Sequence, residues 1–332
     1  MTNEEIMALG EYARAKYKTH PEEEYNPERY TYPEGMERVS YGTTNCELIL
    51  FFGPEYTAIV DVGTAYCAPR VVENIREALA KHGRSKLDFV LLSHSHYDHV
   101  GALPYIIKAW PDVRVYASEK CKKVFESEGA RKLMKTLGES ARETYGKGLW
   151  DDTEILTDPL RVDEVVRDGD RISLGGDEYF SVIEAKGHTD CSLAFGFEPK
   201  HILFASESTG VYRNHYFIHT AILKSQNDAL ATSKRCREYQ PGRIISPHYG
   251  LVPSEITDRY FDIFEACVKN ETNMVLEFRD HAENMEEMLE LFKQVYWGSE
   301  REKEQPIEAF FSNATPIIKV ILRENKRGFE NE

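Results

Sequence analysis

The most constraining feature of this 332-residue chain is the segment His94-Ser95-His96-Tyr97-Asp98-His99. It follows the apolar residues 89–92, which the pattern predicts to be a buried strand. Imidazole and carboxylate groups are the ligands that borderline divalent metals prefer. Because the chain has only 11 histidines, three of them within this one short segment favour a metal site over a solvated polar loop.

Composition limits the classes of partner. The chain has 41 Lys and Arg residues against 56 Asp and Glu residues, a formal net charge of −15, which disfavours nonspecific binding to nucleic acid. It has no apolar run of membrane-spanning length, and its first ten residues lack the pattern of a secretory signal. The six cysteines are scattered without a C-x-x-C pair, which favours reduced thiols. We therefore expect a cytoplasmic protein that acts on a small molecule rather than on nucleic acid or a membrane.

The pattern along the chain predicts three parts. Residues 1–37 form an N-terminal helix, over residues 3–18, and an irregular connector, over residues 20–35. Residues 38–253 alternate short strands with helices, and the charged residues 119–150 are predicted to be a helical insertion. Residues 254–332 have apolar positions at helical spacing. These last helices either cap the predicted metal site or bury a homodimer interface.

Three further candidate ligands lie downstream, and each follows a predicted strand. His188 comes after residues 179–185, Glu207 comes after residues 202–204, and His248 comes after residues 243–246. Functional side chains collect where strands end at one edge of a sheet. His94, His96 and His188 could hold one ion, and Asp98, His99 and His248 a second, with Glu207 between them. Three ligands for each ion leave a position open to water, as catalytic sites require.

The order of these motifs resembles that of the metallo-β-lactamase superfamily over residues 38–253. The resemblance rests on Asp61 in the Val-Asp-Val-Gly sequence, the H-x-H-x-D-H cluster, Gly187-His188-Thr189, Glu207 and His248. It implies an α/β fold, a four-layer αβ/βα sandwich with additional C-terminal helices, and a dinuclear metal centre at one edge of the sheets. It also implies that Asp61 orients a histidine ligand.

The chain departs from the family pattern in two places. The family usually has Asp where Glu207 stands, and its third motif often continues with Pro and Gly, whereas here Asp190 and Cys191 follow Thr189. A carboxylate one methylene longer changes the spacing at which it bridges two ions. For Cys191, packing as a small buried thiol is favoured over lining the site.

Two divalent metal ions in such a site predict hydrolysis without a protein nucleophile. They lower the pKa of a shared water to give a metal-bridging hydroxide, which Asp98 can orient before it passes the proton onward. Ligation rich in nitrogen favours zinc, although iron and manganese accept the same ligands. The helical insertion and the C-terminal helices are similar to those of branches that act on small acyl substrates, so the predicted reaction is cleavage of an ester, thioester or lactone.

The substrate pocket is less well defined by the sequence. Residues 210–219 follow the Glu207 motif and contain Tyr212, His215 and His219, which form either a wall of the pocket or an ordinary surface loop. Apolar helices next to the site suit an acyl chain or an aromatic acid.

Four other functions remain as alternatives to this prediction. A phosphodiesterase or nuclease of the same fold is disfavoured by the net charge. A sensor or partner-binding protein would keep the metal only for regulation. Ser-His-Asp catalysis through Ser93 or Ser95 lacks a G-x-S-x-G elbow. Oxygen or nitric-oxide reduction at a di-iron site is typical of relatives that have Glu in place of His96 and carry a flavin domain.

Overall fold

The computed structural model of the chain describes residues 1–19, 22–42 and 46–329, and only the backbone of residues 299 and 300. His20 and Pro21, at the start of the predicted connector, lie outside the described residues. The helices are α1 (Asn3–Lys16), α2 (Ala68–Lys81), α3 (Tyr97–Val100), α4 (Leu103–Ala109), α5 (Glu119–Glu126), α6 (Glu128–Tyr145), α7 (Gln226–Glu238), α8 (Tyr260–His281), α9 (Met285–Tyr296), α10 (Ser299–Glu304) and α11 (Ile307–Glu324).

The strands form two mixed sheets and a separate hairpin. Their bounds are β1 (Met36–Arg38), β2 (Ile49–Phe52), β3 (Thr57–Val60), β4 (Phe89–Leu91), β5 (Arg114–Ala117), β6 (Glu164–Val165), β7 (Arg171–Gly175), β8 (Glu178–Glu184), β9 (Leu193–Glu198), β10 (Ile202–Phe204), β11 (Val211–Asn214), β12 (Phe217–His219), β13 (Arg243–Ser246) and β14 (Gly250–Leu251). The first sheet has the order β1-β2-β3-β4-β5-β6 and the second the order β14-β13-β10-β9-β8-β7, while β11 and β12 pair with each other.

Alternation of apolar side chains within the strands builds the inner layers. In β2, Ile49 and Phe51 join the core between the two sheets, whereas Leu50 faces the core under α2 and α4. Because successive side chains of a strand point to opposite faces, one short apolar strand contributes to two cores. From the second sheet, Phe180 and Phe197 meet Phe51 at ring-centroid distances of 4.8 and 4.9 Å.

Helices cover the outer face of each sheet. The helix α2 packs Val71, Ile75 and Leu79 on the first sheet. The core on the outside of the second sheet contains buried side chains of α8, α9 and α11, including Phe264, Phe292 and Ile318. The predicted four-layer αβ/βα sandwich with added C-terminal helices is therefore confirmed. No helix of the described residues is both long and apolar enough to cross a membrane.

Parallel pairing brings the ends of distant strands together. In the first sheet, β3 and β4 run parallel, so Asp61 and residues 92–99 leave the sheet at the same edge. In the second sheet, β10 pairs parallel with β13. The strand β9 is antiparallel to both β8 and β10, so β8 runs in the same direction as β10. His188, Glu207 and His248 therefore all follow strands that end at one edge.

Two consecutive helices follow the strand β4. A short helix, α3, begins within the histidine cluster, and α4 starts at Leu103, with Pro104 in its first turn. Pro is favoured there because the first turn of a helix leaves its N–H groups unpaired. This arrangement places Asp98 and His99 on a helical turn.

Candidate metal centre

The seven predicted ligands converge at the common edge of the two sheets. Their donor atoms form the groups His94, His96, His188; His94, His99, Glu207; and Asp98, His99, His248, with the atoms of each group within 4.8 Å of one another. The structure thus brings the His94, His96, His188 group and the Asp98, His99, His248 group close together, with Glu207 next to both.

Glu207 lies at the centre of the cluster and contacts imidazoles of both groups. It follows β10 on a short 3-10 helix and is 8% exposed. Its Oε1 is 2.8 Å from Nε2 of His99 and 3.2 Å from Nε2 of His248, and its Oε2 is 3.2 Å from Nε2 of His188. The longer carboxylate at this position therefore reaches both groups.

The other nitrogen of three histidines is held by the surrounding protein. Nδ1 of His99 lies 2.8 Å from Oδ2 of Asp61. Nδ1 of His188 lies 2.6 Å from the carbonyl oxygen of Ala221, to which it can donate. Nδ1 of His94 lies 3.0 Å from Oγ of Ser93. Such contacts fix the ring orientation and direct Nε2 into the site.

Within the described part of the chain, one buried nitrogen in the cluster lacks the hydrogen-bond partner that it would need in the absence of a metal ion. Nε2 of His94 is buried and has no hydrogen-bond partner among the described residues. A buried polar atom without a partner costs free energy, which a metal ion bound at that nitrogen would remove. Together with the neighbouring imidazoles and carboxylates, this orphaned nitrogen fits a borderline divalent ion.

Burial and neighbouring charges shift the pKa values of several candidate ligands in different directions. Burial, and then the neighbouring His188, lowers the pKa of His96 to about 3, so its ring is neutral and its lone pair free at neutral pH. Burial acts to raise the pKa of Glu207, but the imidazoles of His188, His248 and His99 outweigh burial and hold that pKa well below its usual range. Burial acts to lower the pKa of His99 and of His248, but neighbouring acidic groups outweigh burial and raise both. A divalent cation bound at these two imidazoles would displace their protons.

Ser93, the alternative nucleophile, and Cys191, which could line the site, are both buried. The Ser93 hydroxyl donates to Oδ2 of Asp61 at 2.7 Å, and the same carboxylate accepts the Ser93 N–H at 2.8 Å. Ser93 thus positions Asp61 rather than standing exposed as a nucleophile. Cys191 is 4% exposed and belongs to the core under α2 and α4. Its Sγ lies 3.2 Å from Oγ1 of Thr189.

The predicted pocket residues separate in the structure. His219 lines the cavity beside the cluster, but Tyr212 and His215 do not. Tyr212 packs in the core with the C-terminal helices. His215 is on the outer side, with Nε2 at 3.0 Å from Glu255 and Nδ1 bonded to Glu24. The segment is a strand pair rather than a loop, so its side chains alternate between two faces.

Other residues of the site carried no clear signal in the sequence. The Ala221 carbonyl that holds His188 belongs to a residue with φ of 50°, which no motif announces. Tyr249, after β13, and Arg301, on α10, line the cavity. Arg213 of β11 lies behind them, with its guanidinium 4.5 Å from the centre of the Tyr249 ring. Arg213 and Arg301 come together only through the packing of α10.

The chain is similar to several known proteins. The family profile described as "Metallo-beta-lactamase superfamily" matches residues 41–248, which is more than half of the chain. Coenzyme F420H(2) oxidase of Methanocaldococcus jannaschii is 35% identical over 77 residues, which are 23% of this chain and 18% of the relative. Hydroxyacylglutathione hydrolase of Prochlorococcus marinus is 27% identical over 106 residues, which are 32% of this chain and 29% of the relative.

One solved structure shows the same fold over most of the chain. It is a metallo-β-lactamase family protein of Thermus thermophilus, with a TM-score of 0.62 and 18% sequence identity, and the match covers 89% of this chain and 95% of that one. The chain thus spans less than a third of either curated relative and nearly all of this structure.

Proposed function

This chain belongs to the metallo-β-lactamase superfamily, and we propose that it is a dinuclear metal-dependent hydrolase of a small ester, thioester or lactone. The observation that carries the proposal is the position of Glu207, whose carboxylate contacts His188 of one group and His99 and His248 of the other. Superfamily members are mostly metal-dependent hydrolases, which supports the reaction class.

Six of the residues divide into two sets of ligands. His94, His96 and His188 would hold one ion, and Asp98, His99 and His248 the other, with Glu207 between the two. When bound, two divalent ions lower the pKa of water and polarise a carbonyl oxygen.

Asp98 is placed to handle the proton of the reaction. Its Oδ2 lies 3.6 Å from Nε2 of His248 and 3.8 Å from Nε2 of His99, and its side chain is about 20% exposed toward the cavity. Burial raises the pKa of Asp98 from its usual value. A carboxylate at this position can accept a proton from the attacking water and then deliver it to the leaving group.

The surroundings favour a carbonyl substrate over a phosphodiester. The cavity has an apolar wall that includes Leu133, Met134 and Leu137 of α6, which suits an acyl group. The net charge of −15 opposes binding of a nucleic-acid backbone. The likeness to hydroxyacylglutathione hydrolase also supports cleavage of an acyl compound.

The test begins with protein purified without added metal. Its metal content is measured by elemental analysis, and it is then assayed on aryl esters, aryl thioesters, lactones and a bis-aryl phosphodiester. We expect metal-dependent turnover of at least one carbonyl substrate. Turnover of the phosphodiester alone, or dioxygen consumption with reduced flavin and no hydrolysis, would contradict the proposal.

Variants connect that activity to the site. His96→Ala and Asp98→Ala should abolish turnover while circular dichroism shows an intact fold. His281→Ala, which removes an exposed imidazole at the end of α8, is the matched control and should retain full activity. Undiminished turnover in both site variants would disprove the assignment.

A further inference from the structure

A large cavity lies over the candidate metal centre. Its volume is about 590 Å³, and His96, Asp98, His188, Glu207 and His248 form part of its lining. The other walls come from the connector after α1, from α5 and α6, and from α10 and α11. A ligand in this cavity would therefore contact the metal centre and the helical segments together.

The walls of this cavity differ in polarity. Leu133, Met134 and Leu137 of α6 supply an apolar side. Another part of the lining contains Arg301 and Glu304 of α10 together with His219. A substrate that fills the cavity would therefore combine an apolar part with a polar group away from the scissile bond.

Arg301 is a buried cation whose hydrogen-bonding capacity is only partly used. The residue is 8% exposed, and neither its Nε nor its Nη2 has a hydrogen-bond partner among the described residues. Its Nη1 lies 3.5 Å from Oε2 of Glu304. Nε–H and Nη2–H lie on one edge of the planar guanidinium, so together they form a two-pronged donor that matches an oxyanion.

The charge of Arg301 is only partly balanced by its neighbours. Arg213 is fully buried and pairs with Oε1 of the same Glu304 at 2.9 Å, so two guanidinium groups share that carboxylate. Burial, and then the charge of Arg213, lowers the pKa of Arg301, but a guanidinium remains protonated in proteins. The surroundings of Arg301 therefore favour an added negative charge.

His219 supplies a further unpaired polar atom on the same cavity. Its Nδ1 is buried without a hydrogen-bond partner among the described residues. Burial, and then the positive charge of Arg301, holds the pKa of His219 well below its usual range. His219 is therefore neutral at neutral pH and adds no competing positive charge.

We propose that this enzyme selects acyl substrates that carry a terminal oxyanion, a carboxylate or a phosphate, and that Arg301 binds this group through Nε and Nη2. This inference rests on the proposed hydrolase function and names the substrate class. The apolar wall on α6 holds the carbon chain between the oxyanion and the scissile bond. Arg301 is thus a specificity-determining residue supplied from outside the strands that hold the metal ligands.

The first test compares matched substrates. Glutaryl aryl thioester, its ω-methyl ester and a phosphorylated analogue of equal length are assayed with the wild-type protein and with Arg301→Met. We expect the wild-type protein to prefer an anionic substrate. In Arg301→Met the ratio of kcat/KM for the anionic over the neutral substrate should fall about 10- to 100-fold, the range for a hydrogen-bonded charge. The carboxylated and phosphorylated substrates together identify which oxyanion is preferred.

Matched variants separate this role from a general effect on charge or folding. Lys303→Met removes an exposed positive charge from the same helix and should leave the ratio unchanged. Arg301→Lys keeps a charge but loses the two-pronged donor, so it should recover only part of the preference. An unchanged ratio in Arg301→Met, or an equal fall in Lys303→Met, would overturn the proposal.

A second readout does not depend on turnover. In the presence of a chelator, glutarate or inorganic phosphate should raise the Tm of the wild-type protein but not that of Arg301→Met. If no ester is hydrolysed but the anion still stabilises only the protein with Arg301, the hydrolase proposal fails and the anion site remains. If esters are hydrolysed without charge preference and no anion shifts the Tm, the anion site fails and the hydrolase proposal remains.

Discussion

Oδ2 of Asp61 lies 2.8 Å from Nδ1 of His99, and both residues are 0% exposed. The carboxylate is itself held by the N–H and hydroxyl of Ser93. Since Nε2 of His99 faces Glu207 at 2.8 Å, this chain of contacts determines where the imidazole presents its lone pair.

Asp61→Asn should weaken metal binding without unfolding the protein. Asparagine has the size of aspartate but lacks the charge that orients His99, so we expect the affinity for zinc to fall about 10- to 100-fold. Competition with a chromophoric chelator measures this. The exposed Asp177→Asn serves as control, and equal affinities for the two variants would contradict the role of Asp61.

Glu207→Gln should reduce the number of bound metal ions. Glutamine retains the length of the side chain but removes the negative charge that lies among His99, His188 and His248. We expect weaker metal binding and at least about a tenfold loss of kcat. Elemental analysis after dialysis, together with the kinetic assay, checks this prediction.

Glu207→Asp tests whether side-chain length or charge matters more. It keeps the charge and shortens the reach, so its metal affinity should fall between those of the wild-type protein and Glu207→Gln. An aspartate variant weaker than the glutamine variant would show that reach, rather than charge, holds the site together.

Gly101→Ala should destabilise the loop that carries the ligands. An added Cβ would lie 2.5 Å from the carbonyl oxygen of Tyr97 and 2.6 Å from the backbone nitrogen of Ala65, so one of these backbones must move. We expect a loss of about 2 kcal/mol in unfolding free energy, measured by urea denaturation. In the control Gly129→Ala, the Cβ approaches only Ser127 Oγ at 3.9 Å, and a comparable loss there would contradict the steric explanation.

Glu271 should make stability depend on pH outside the metal centre. Burial raises the pKa of Glu271 from 4.5 to about 7, and the Thr220 hydroxyl donates to it. Between pH 4.5 and about 7, Glu271 is ionised in the unfolded chain but protonated in the folded protein. The unfolding free energy contributed by Glu271 is therefore fully present below pH 4.5 and is lost as pH rises through about 7. The loss is about 3 kcal/mol.

The measurement for Glu271 is urea denaturation at pH 5, 6, 7 and 8 for the wild-type protein and Glu271→Gln. The difference in unfolding free energy between them should change across this range in favour of the variant, since glutamine does not ionise. The exposed Glu126→Gln should run parallel to the wild-type protein. If the unfolding free energy of Glu271→Gln also changed with pH in parallel with that of the wild-type protein, the proposed contribution of Glu271 would be excluded.

Much of the fold and of the candidate metal centre could be predicted because both depend on local patterns. The apolar run before His94 marks a strand, and His188, Glu207 and His248 each stand directly after another. When strands end at one edge, residues far apart in sequence become neighbours without any further information.

The substrate side of the cavity could not be predicted in the same way. The position of residues 210–219 after the Glu207 motif, with their aromatic and histidine side chains, makes Tyr212 and His215 candidates for the pocket. In the hairpin, however, Val211 pairs with His219 and Tyr212 with Ile218. Only the first of these pairs lines the cavity. Arg301 lies on a short helix whose placement is decided by packing of the C-terminal segment, which no local pattern in the sequence reports.

The origin of the cavity walls has a consequence for how such a protein can diversify. The candidate ligands all lie between His94 and His248, whereas Arg29, Arg301 and Pro316 reach the same space from segments before and after them. Mutations in those flanking segments can therefore remodel which molecule is admitted while the candidate metal centre stays intact. Selection can tune recognition and chemistry separately in a scaffold built this way.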